Sequence, residues 1–535
     1  MDDSARDTLV EWREWGPEAF EEAAERGCPL LLSLSAPWCV SCHEMDRTTY
    51  AEPRIAAHLS DGFVPVRVDV DRHPRVRDRY NMGGFPSTVF LTPEGELLTG
   101  ATALGIDGLR QVLDSVRRTW DAEGAEAGRV PRALREAEFP AGDLAAVEGA
   151  MVEQIAASFD EQYGGWGADA KFPLPSAVEF ALSRDLDRAT RTLEAIHAHL
   201  YDTYDGGFYR YAESRDWSRL HREKLLDDTA ALLRAFANGY LHTGRETYRD
   251  AAEGTVDYLV TDLWAGEAFA GSQAGGDYYT LEAAEREAAD PPAVDETAFA
   301  DRNGVAVDAL LRFAAYTDHE GARRYAERAL ATLRDLTDDG VVAHARSPDG
   351  EVTSERGLLV DQARVCRGFA TAAQVVDPGY VADARAVADH ALDALREDGP
   401  CRDGPPTGPG LLDRPLYPLD TNADLADALV DLAALTGESR YRTAAREILS
   451  AFAGAADRMG VEVAGYATAA ARAADPPLVV ETPAPGSDLH RAAWRLADHE
   501  KAIVPADVET ATVRRGGDVV ATADDPAALE TAVGE

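Results

Sequence analysis

Residues 30–45 read Leu-Leu-Leu-Ser-Leu-Ser-Ala-Pro-Trp-Cys-Val-Ser-Cys-His-Glu-Met. The apolar run at 30–35 has the pattern of a buried strand. Trp38-Cys39-Val40-Ser41-Cys42 follows at once and opens a helix through about Thr48. A sulfur at a helix N-terminus faces unpaired backbone N–H groups and the positive end of the helix dipole, which stabilises its thiolate. Cys42, one turn further on, is placed to attack a mixed disulfide and release product. Cys39 is therefore expected to be the attacking thiol and Cys42 the resolving one. Trp38 and His43 flank the pair as candidate substrate-positioning residues. His43 reads either as tuning the thiolate or as a solvated first-turn histidine.

The pattern continues outward on both sides. Residues 17–27 form a short amphipathic helix that Cys28-Pro29 breaks, and 63–70 read as a second strand. Residues 88–92 read as a third strand, turning at Glu94-Gly95 into Leu97-Leu98, and 106–120 as a closing helix. Strands alternating with helices over residues 1–120 indicate one small α/β domain. Gly84-Phe85-Pro86-Ser87-Thr88 precedes the third strand, and a proline there is compatible with a cis bond that sets backbone beside the cysteines. Together the two signals resemble the thioredoxin superfamily. In that superfamily a cis-proline helps hold extended substrate near the Cys-x-x-Cys pair, and Pro86 stands at the matching position. Three other readings of the motif remain: c-type haem attachment through Cys42-His43, a zinc site using Cys39, Cys42 and His43, and a thioredoxin-like domain with idle cysteines.

Composition narrows the function classes. The chain has 535 residues, 45% of them apolar, 28% charged, and a formal net charge of −42. This excludes a general nucleic-acid binder, whose phosphate affinity needs clustered Lys and Arg. Lysine occurs only at 171, 224 and 501. So acidic and lysine-poor a chain points to a halophilic, haloarchaeal protein from a salt-loaded cytosol, where salt screens self-repulsion. Five cysteines, only two of them close together, are not a disulfide framework and fit a reducing cytosol. No run of about 18 apolar residues is present. Met1-Asp2-Asp3-Ser4-Ala5-Arg6 lacks the layout of a secretory signal. A cytoplasmic location without a membrane partner is expected.

Residues 121–142 read as a partly helical connector. From 143 to 475 helix follows helix, with a weak repeat of Tyr-x-x-x-Ala at Tyr248, Tyr325, Tyr380 and Tyr441 after short turns. Each turn follows another apolar helix, which predicts helical hairpins and a closed six-hairpin α/α toroid, with an open solenoid as the alternative. Residues 476–535 read as a small α/β tail.

Glycine–aromatic loops punctuate the helices: 159–167, Lys171-Phe172-Pro173, Tyr204 to Tyr209, and Phe269 to Gln273. Clustered on one rim they would line a pocket whose aromatic faces suit sugars; alternatively they are tight turns whose rings plug the core. The candidate pocket residues are Asp160, Trp166, Lys171, Phe172, Asp205, Phe208, Lys224, Asp228, Asp301 and Asn303. An Asp at a helix start is more often a cap than a catalyst, and the two lysines read more simply as structural ion pairs.

Along nearly its full length the chain resembles the long thioredoxin-domain proteins related to the spermatogenesis-associated thioredoxin-like protein. The residues that carry the resemblance are Trp12, Trp15 to Phe20, Cys39 to His43, Met45, Asp69 to Pro74, Gly164 to Pro173, Glu223 to Asp228, and Asp301 to Gly304. The resemblance implies a thioredoxin-like domain fused to a toroid like those of glycoside hydrolases and N-acylglucosamine epimerases. Here Val40-Ser41 stand where the family usually has His-Trp, and Arg302 where it has Trp. The acidic loop after the Gly-Phe-Tyr motif is reduced to Ser272-Gln273-Ala274, and Arg515-Gly516-Gly517 stand where relatives often carry a cysteine.

The expected function is thiol–disulfide exchange without cofactor or metal, on a protein or small-molecule disulfide, with the toroid binding substrate or partner. The alternatives are a carbohydrate-active or carbohydrate-binding toroid beside a structural thioredoxin-like domain, and a non-catalytic interaction scaffold.

Overall fold

A computed structural model describes residues 8–135 and 140–534. Residues 1–6, considered above for a leader, and 136–139 of the connector lie outside the described residues. No described helix is long and apolar enough to cross a membrane. The chain forms two compact units. One is built from the N-terminal segment with 274–278 and 403–416; the other holds the remainder.

The first unit runs β1 (Arg13–Glu14), α1 (Pro17–Arg26), β2 (Leu30–Ser35), α2 (Val40–Thr48), α3 (Pro53–Gly62), β3 (Val64–Asp69), α4 (Pro74–Tyr80), β4 (Ser87–Leu91), β5 (Leu97–Ala101) and α5 (Ile106–Glu123). The sheet order is β1-β3-β2-β4-β5. β1, β3 and β2 are parallel, while β4 and β5 run antiparallel. β2 is central and covered on both faces, which is why its sequence is an uninterrupted apolar run rather than an alternation. Pro17, Pro53 and Pro74 each open a helix, where the missing N–H has no partner to lose. The core gathers Leu31, Met45, Tyr50, Leu59, Phe63, Phe90 and Leu113.

The structure departs from the contiguous ranges 1–120 and 143–475. α5 ends at Glu123, and residues 403–416 belong to the first unit. Arg75 and Arg79 of α4 explain the second difference. Both are buried, both donate to Asp403, and Arg79 also donates to the carbonyls of Leu411 and Arg414. Tyr80 Oη donates to the Gly410 carbonyl. Nothing in the local sequence of 403–416 announces this partner.

The second unit is a ring of helical hairpins. Its helices are α6 (Ala145–Ser158), α7 (Pro175–Arg184), α8 (Leu186–His199), α9 (Leu226–Thr243), α10 (Glu246–Thr261), the short α11 (Ala283–Arg286), α12 (Ala300–Thr317), α13 (Glu320–Asp335), α14 (Leu359–Val375), α15 (Tyr380–Ala394), α16 (Leu419–Thr436), α17 (Ser439–Ser450) and α18 (Ala464–Ala474). Among the described residues α7, α9, α12, α14, α16 and α18 pack each against the next, and α18 packs back on α7, so the ring closes. Outer helices α8, α10, α13, α15 and α17 each pack on the inner helix before them, and α6 packs on α18. Inner α12 and α14 are buried nearly all round, whereas outer α13 buries one stripe. The repeated tyrosines at 248, 325, 380 and 441 fall near the starts of outer helices.

Residues 476–534 pack with this unit. Strands 479–482, 502–505, 511–515 and 518–523 form one sheet, flanked by α19 (Asp488–Trp494) and α20 (Pro526–Gly534). The segment covers the C-terminal ends of inner helices: Ile503 N donates to Gln374 Oε1 at 2.8 Å and Arg472 donates to the Glu500 carbonyl at 3.1 Å.

At most hairpins the chain returns from an outer helix to the next inner helix through partly buried backbone, whose polar groups need partners. Three returns share one solution, at the fourth residue of the inner helix. Asn303 Oδ1 accepts from Phe269 N and its amide donates to the Phe269 carbonyl, both at 3.0 Å. Asn422 does the same for Cys401 N and O, at 2.7 and 2.9 Å. Gln362 accepts from Val342 N and donates to the Gly340 carbonyl, both at 2.8 Å. Asn303 is thus a structural clamp, not a pocket residue. Replacing Asn422 by Ala orphans a buried N–H and C=O and is expected to cost about 1–3 kcal/mol, read as a lowered denaturation midpoint with unchanged slope.

Candidate functional site

The cysteines lie where the C-terminal end of β2 turns into α2. Cys39 is the N-cap residue of α2, and its Sγ accepts from Cys42 N at 3.1 Å. Its carbonyl accepts from the amides of Cys42 and His43. The first turn therefore presents the Cys42 N–H to the Cys39 sulfur, an arrangement that favours a thiolate there. The two cysteines are joined in a disulfide, with Cα atoms 5.2 Å apart. Both are buried, while Val40 and Ser41 between them face solvent.

Trp38 is buried, and its indole N–H donates to Asp71 Oδ2 at 2.8 Å. Asp71 lies in the loop after β3, so this bond joins the turn before the motif to the neighbouring strand's end. The Phe85–Pro86 peptide bond is cis. The Phe85 ring meets Trp38 edge-on, with centroids 6.0 Å apart, which brings the segment containing Pro86 beside the motif. His43 Nε2 lies 2.8 Å from the Pro37 carbonyl. Because a carbonyl only accepts, Nε2 carries the proton in that bond, and the ring is fastened to the loop before the motif. Cys28, Cys366 and Cys401 are buried free thiols.

In the helical ring the expected pocket residues separate into distinct clusters. Asp160 bolts a loop. Its Oδ1 accepts from the amides of Gln162 and Tyr163, and its Oδ2 accepts from Lys171 Nζ at 2.9 Å. Arg215 adds a two-pronged contact at 2.8 and 2.9 Å. Burial alone would raise this carboxyl; the hydrogen bonds from Arg215, Lys171 and the two amides hold it well below the usual range. Lys224 plays the part of Lys171 in the next loop, but its partner is Asp202, at 2.9 Å, rather than Asp205. Burial pulls the Lys224 ammonium down against the attraction of Asp202. Arg286 reaches both Asp202 and Asp205. Gly165 and Gly207 have φ of +70° and +71°, and a Cβ there would stand 2.8 Å from Trp217 and 2.6 Å from Tyr258. Trp166 and Phe208 are 1% exposed and fill the core beneath these loops. The two loops are therefore plugs, which corrects the pocket expectation for Asp160, Trp166, Lys171, Phe208 and Lys224.

Phe172 remains 45% exposed and stacks on Tyr211 at 4.5 Å; Tyr211 stacks in turn on His221 at 4.2 Å. Asp228 lies in the first turn of α9, with Arg210 Nε 3.9 Å away. Its side chain is 40% exposed. Desolvation, with the Asp227 charge adding, pushes its carboxyl up to about 7. Asp301, on α12, pairs with Arg364 at 3.0 Å and lies beside His344 and Asp361. The lumen itself is filled by ion pairs. Arg234 grips Glu179 with two bonds and reaches Asp308 at 2.7 Å, while Arg472 holds Asp427 and Asp431. They leave a cavity of about 90 Å³.

Residues 3–137 match the family model Thioredox_DsbH, described as "Protein of unknown function, DUF255". Spermatogenesis-associated protein 20 of Homo sapiens is 30% identical over 314 residues, 52% of this chain and 39% of that protein. Uncharacterized protein B0495.5 of Caenorhabditis elegans is 26% identical over 66% of this chain and 52% of its own length. The chain thus spans about half or less of these relatives. The thiol:disulfide interchange protein DsbD of Ralstonia nicotianae is 34% identical over 19% of this chain and 17% of its own. Among solved structures, a sugar epimerase from a ruminal bacterium is 12% identical over 57% of this chain and 85% of that one, with a TM-score of 0.48. D-mannose isomerase is 12% identical over 62% of this chain and 97% of that one, also at 0.48. The chain is a thioredoxin-like domain followed by a helical toroid.

Reading the sequence missed Asp202, Arg215, Arg286, His344 and Asp71. Asp202 had a signal: it stands four residues before Gly206-Gly207, as Asp160 does before Gly164-Gly165. Asp71 lies within Asp69 to Pro74, a stretch already singled out, whereas Arg215, Arg286 and His344 had no signal, since their partners are distant in sequence. Trp38→Phe keeps an aromatic ring but removes the indole donor to Asp71. It is expected to lower stability by about 1.5–3 kcal/mol in the oxidised protein, measured by chemical denaturation.

Proposed function

We propose that the N-terminal unit exchanges thiols and disulfides through Cys39 and Cys42. The observation that carries this reading is the Cys39 sulfur at the N-cap of α2, accepting a first-turn amide while bonded to Cys42. The likeness of the N-terminal segment to DsbD supports a disulfide-related role.

In the reduced protein the Cys39 thiolate attacks one sulfur of a substrate disulfide, forming a mixed disulfide and expelling the other sulfur as a thiolate. Cys42, deprotonated, then attacks Cys39 Sγ. The Cys39–Cys42 bond forms, the second substrate sulfur leaves as a thiolate, and both products take up protons. Two electrons pass to the substrate, and an external dithiol resets the pair by the same exchange in reverse. Trp38, held by Asp71, and the Phe85–Pro86 segment flank the sulfur as positioning elements. We assign the toroid to binding rather than catalysis, because the lumen carboxylates Glu179, Asp308, Asp427 and Asp431 are each engaged by arginine. A cytosolic setting fits three buried cysteines kept as free thiols.

Cys42→Ser is expected to stall as a covalent adduct on Cys39, seen on a non-reducing gel and by mass spectrometry. The double variant Cys39→Ser, Cys42→Ser gives the background. In the reduced wild type, Cys39 should alkylate faster than Cys42, with a midpoint below the ordinary thiol value of about 8.5. Equal adduct in the single and double variants, or equal alkylation of the two thiols, would sink the proposal.

A further inference from the structure

We propose that Asp301, His344 and Asp361 form a binding site for one divalent transition-metal cation, independent of the redox pair. Asp301 comes from the first turn of α12 and Asp361 from the first turn of α14. His344 immediately precedes the strand Ala345–Arg346, which pairs with Ala298–Phe299 just before α12. Two adjacent helix starts and one strand therefore converge. One ligand atom from each of the three side chains lies within 4.8 Å of the other two.

The spacing suits a shared ion. His344 Nδ1 is 3.0 Å from each Asp361 oxygen. Two donors about 2.1 Å from one cation stand about 3.0 Å apart at the right angle of an octahedral site and about 3.4 Å apart at a tetrahedral angle. Asp301 supplies the independent sign of something to bind. The residue is 8% exposed, and its Oδ1 is buried without a hydrogen-bond partner among the described residues. Its other oxygen accepts from Arg364 at 3.0 Å, which fixes the carboxylate plane as an outer partner does for a metal ligand. Acids in a helix's first turn are favoured by the dipole, and a His344–Asp361 ion pair satisfies those two groups. Neither gives Asp301 Oδ1 a partner, and buried carboxylate oxygens left unpaired are costly. Imidazole with carboxylates selects ions such as Mn²⁺ or Zn²⁺ over the all-oxygen preference of Ca²⁺.

The test uses the full chain carrying Cys39→Ser and Cys42→Ser, so that the redox pair cannot bind metal; Cys28, Cys366 and Cys401 are buried. After chelation and dialysis it is titrated with MnCl₂ and with ZnCl₂, following heat, bound metal by elemental analysis and the thermal midpoint. One equivalent of at least one ion is expected, with a midpoint that rises with free metal. His344→Gln and Asp301→Asn should each weaken binding at least about tenfold. Should His344→Gln fail to fold, the isosteric Asp301→Asn decides. No stoichiometric uptake of either ion would overturn the site and leave a His344–Asp361 ion pair only. Uptake unchanged in Asp301→Asn would overturn it as well.

Discussion

The helical ring depends on satisfying buried backbone where each hairpin returns to the next inner helix. A ring of paired helices must carry the chain from an outer helix to the next inner helix through protein rather than water. There every N–H and C=O needs a partner. The molecule meets this with two related devices. Asp160 with Lys171, and Asp202 with Lys224, bolt the first two returns. Asn303, Gln362 and Asn422 clamp the three that follow. Five of the six returns are fixed in this way, and the inner helices pack in succession until α18 meets α7.

This also explains the use of lysine. All three lysines are buried, at 0%, 0% and 2% exposure. Lys171 and Lys224 each divide their ammonium between one carboxylate and one carbonyl. Lys501 donates to the carbonyls of Leu496 and Asp498. A compact point charge fits these narrow sites, whereas the planar fork of arginine suits the two-pronged contacts of the lumen, such as Arg234 on Glu179.

The redox unit follows a different logic. Its sulfur is positioned by backbone, since a strand end turning into a helix produces N–H groups whatever side chains follow. The N-cap contact of Cys39 accordingly uses the Cys42 amide and no side chain of Val40 or Ser41. Side chains enter as braces: Asp71 on Trp38, the Phe85 ring against Trp38, and the Pro37 carbonyl on His43.

Local pattern reached far in this chain. The run at 30–35, the Cys-x-x-Cys that follows it, the proline before β4 and the tyrosine repeat are short-range signals. Each states a local conformation, so the thioredoxin-like domain, the hairpins and the Cys39–Cys42 pair were legible. The partners of long-range contacts were not, because sequence gives a side chain its chemistry but not its neighbour. Asp403 meeting Arg75 and Arg79, Asp202 rather than Asp205 meeting Lys224, and His344 meeting Asp361 join residues from separate helices or loops. The sequence by itself determined the kinds of element and the reactive pair, through periodicity and spacing. The tertiary structure decided which aromatic loops became plugs, which acids were neutralised and which buried oxygen was left open, since burial and pairing exist only once distant segments pack.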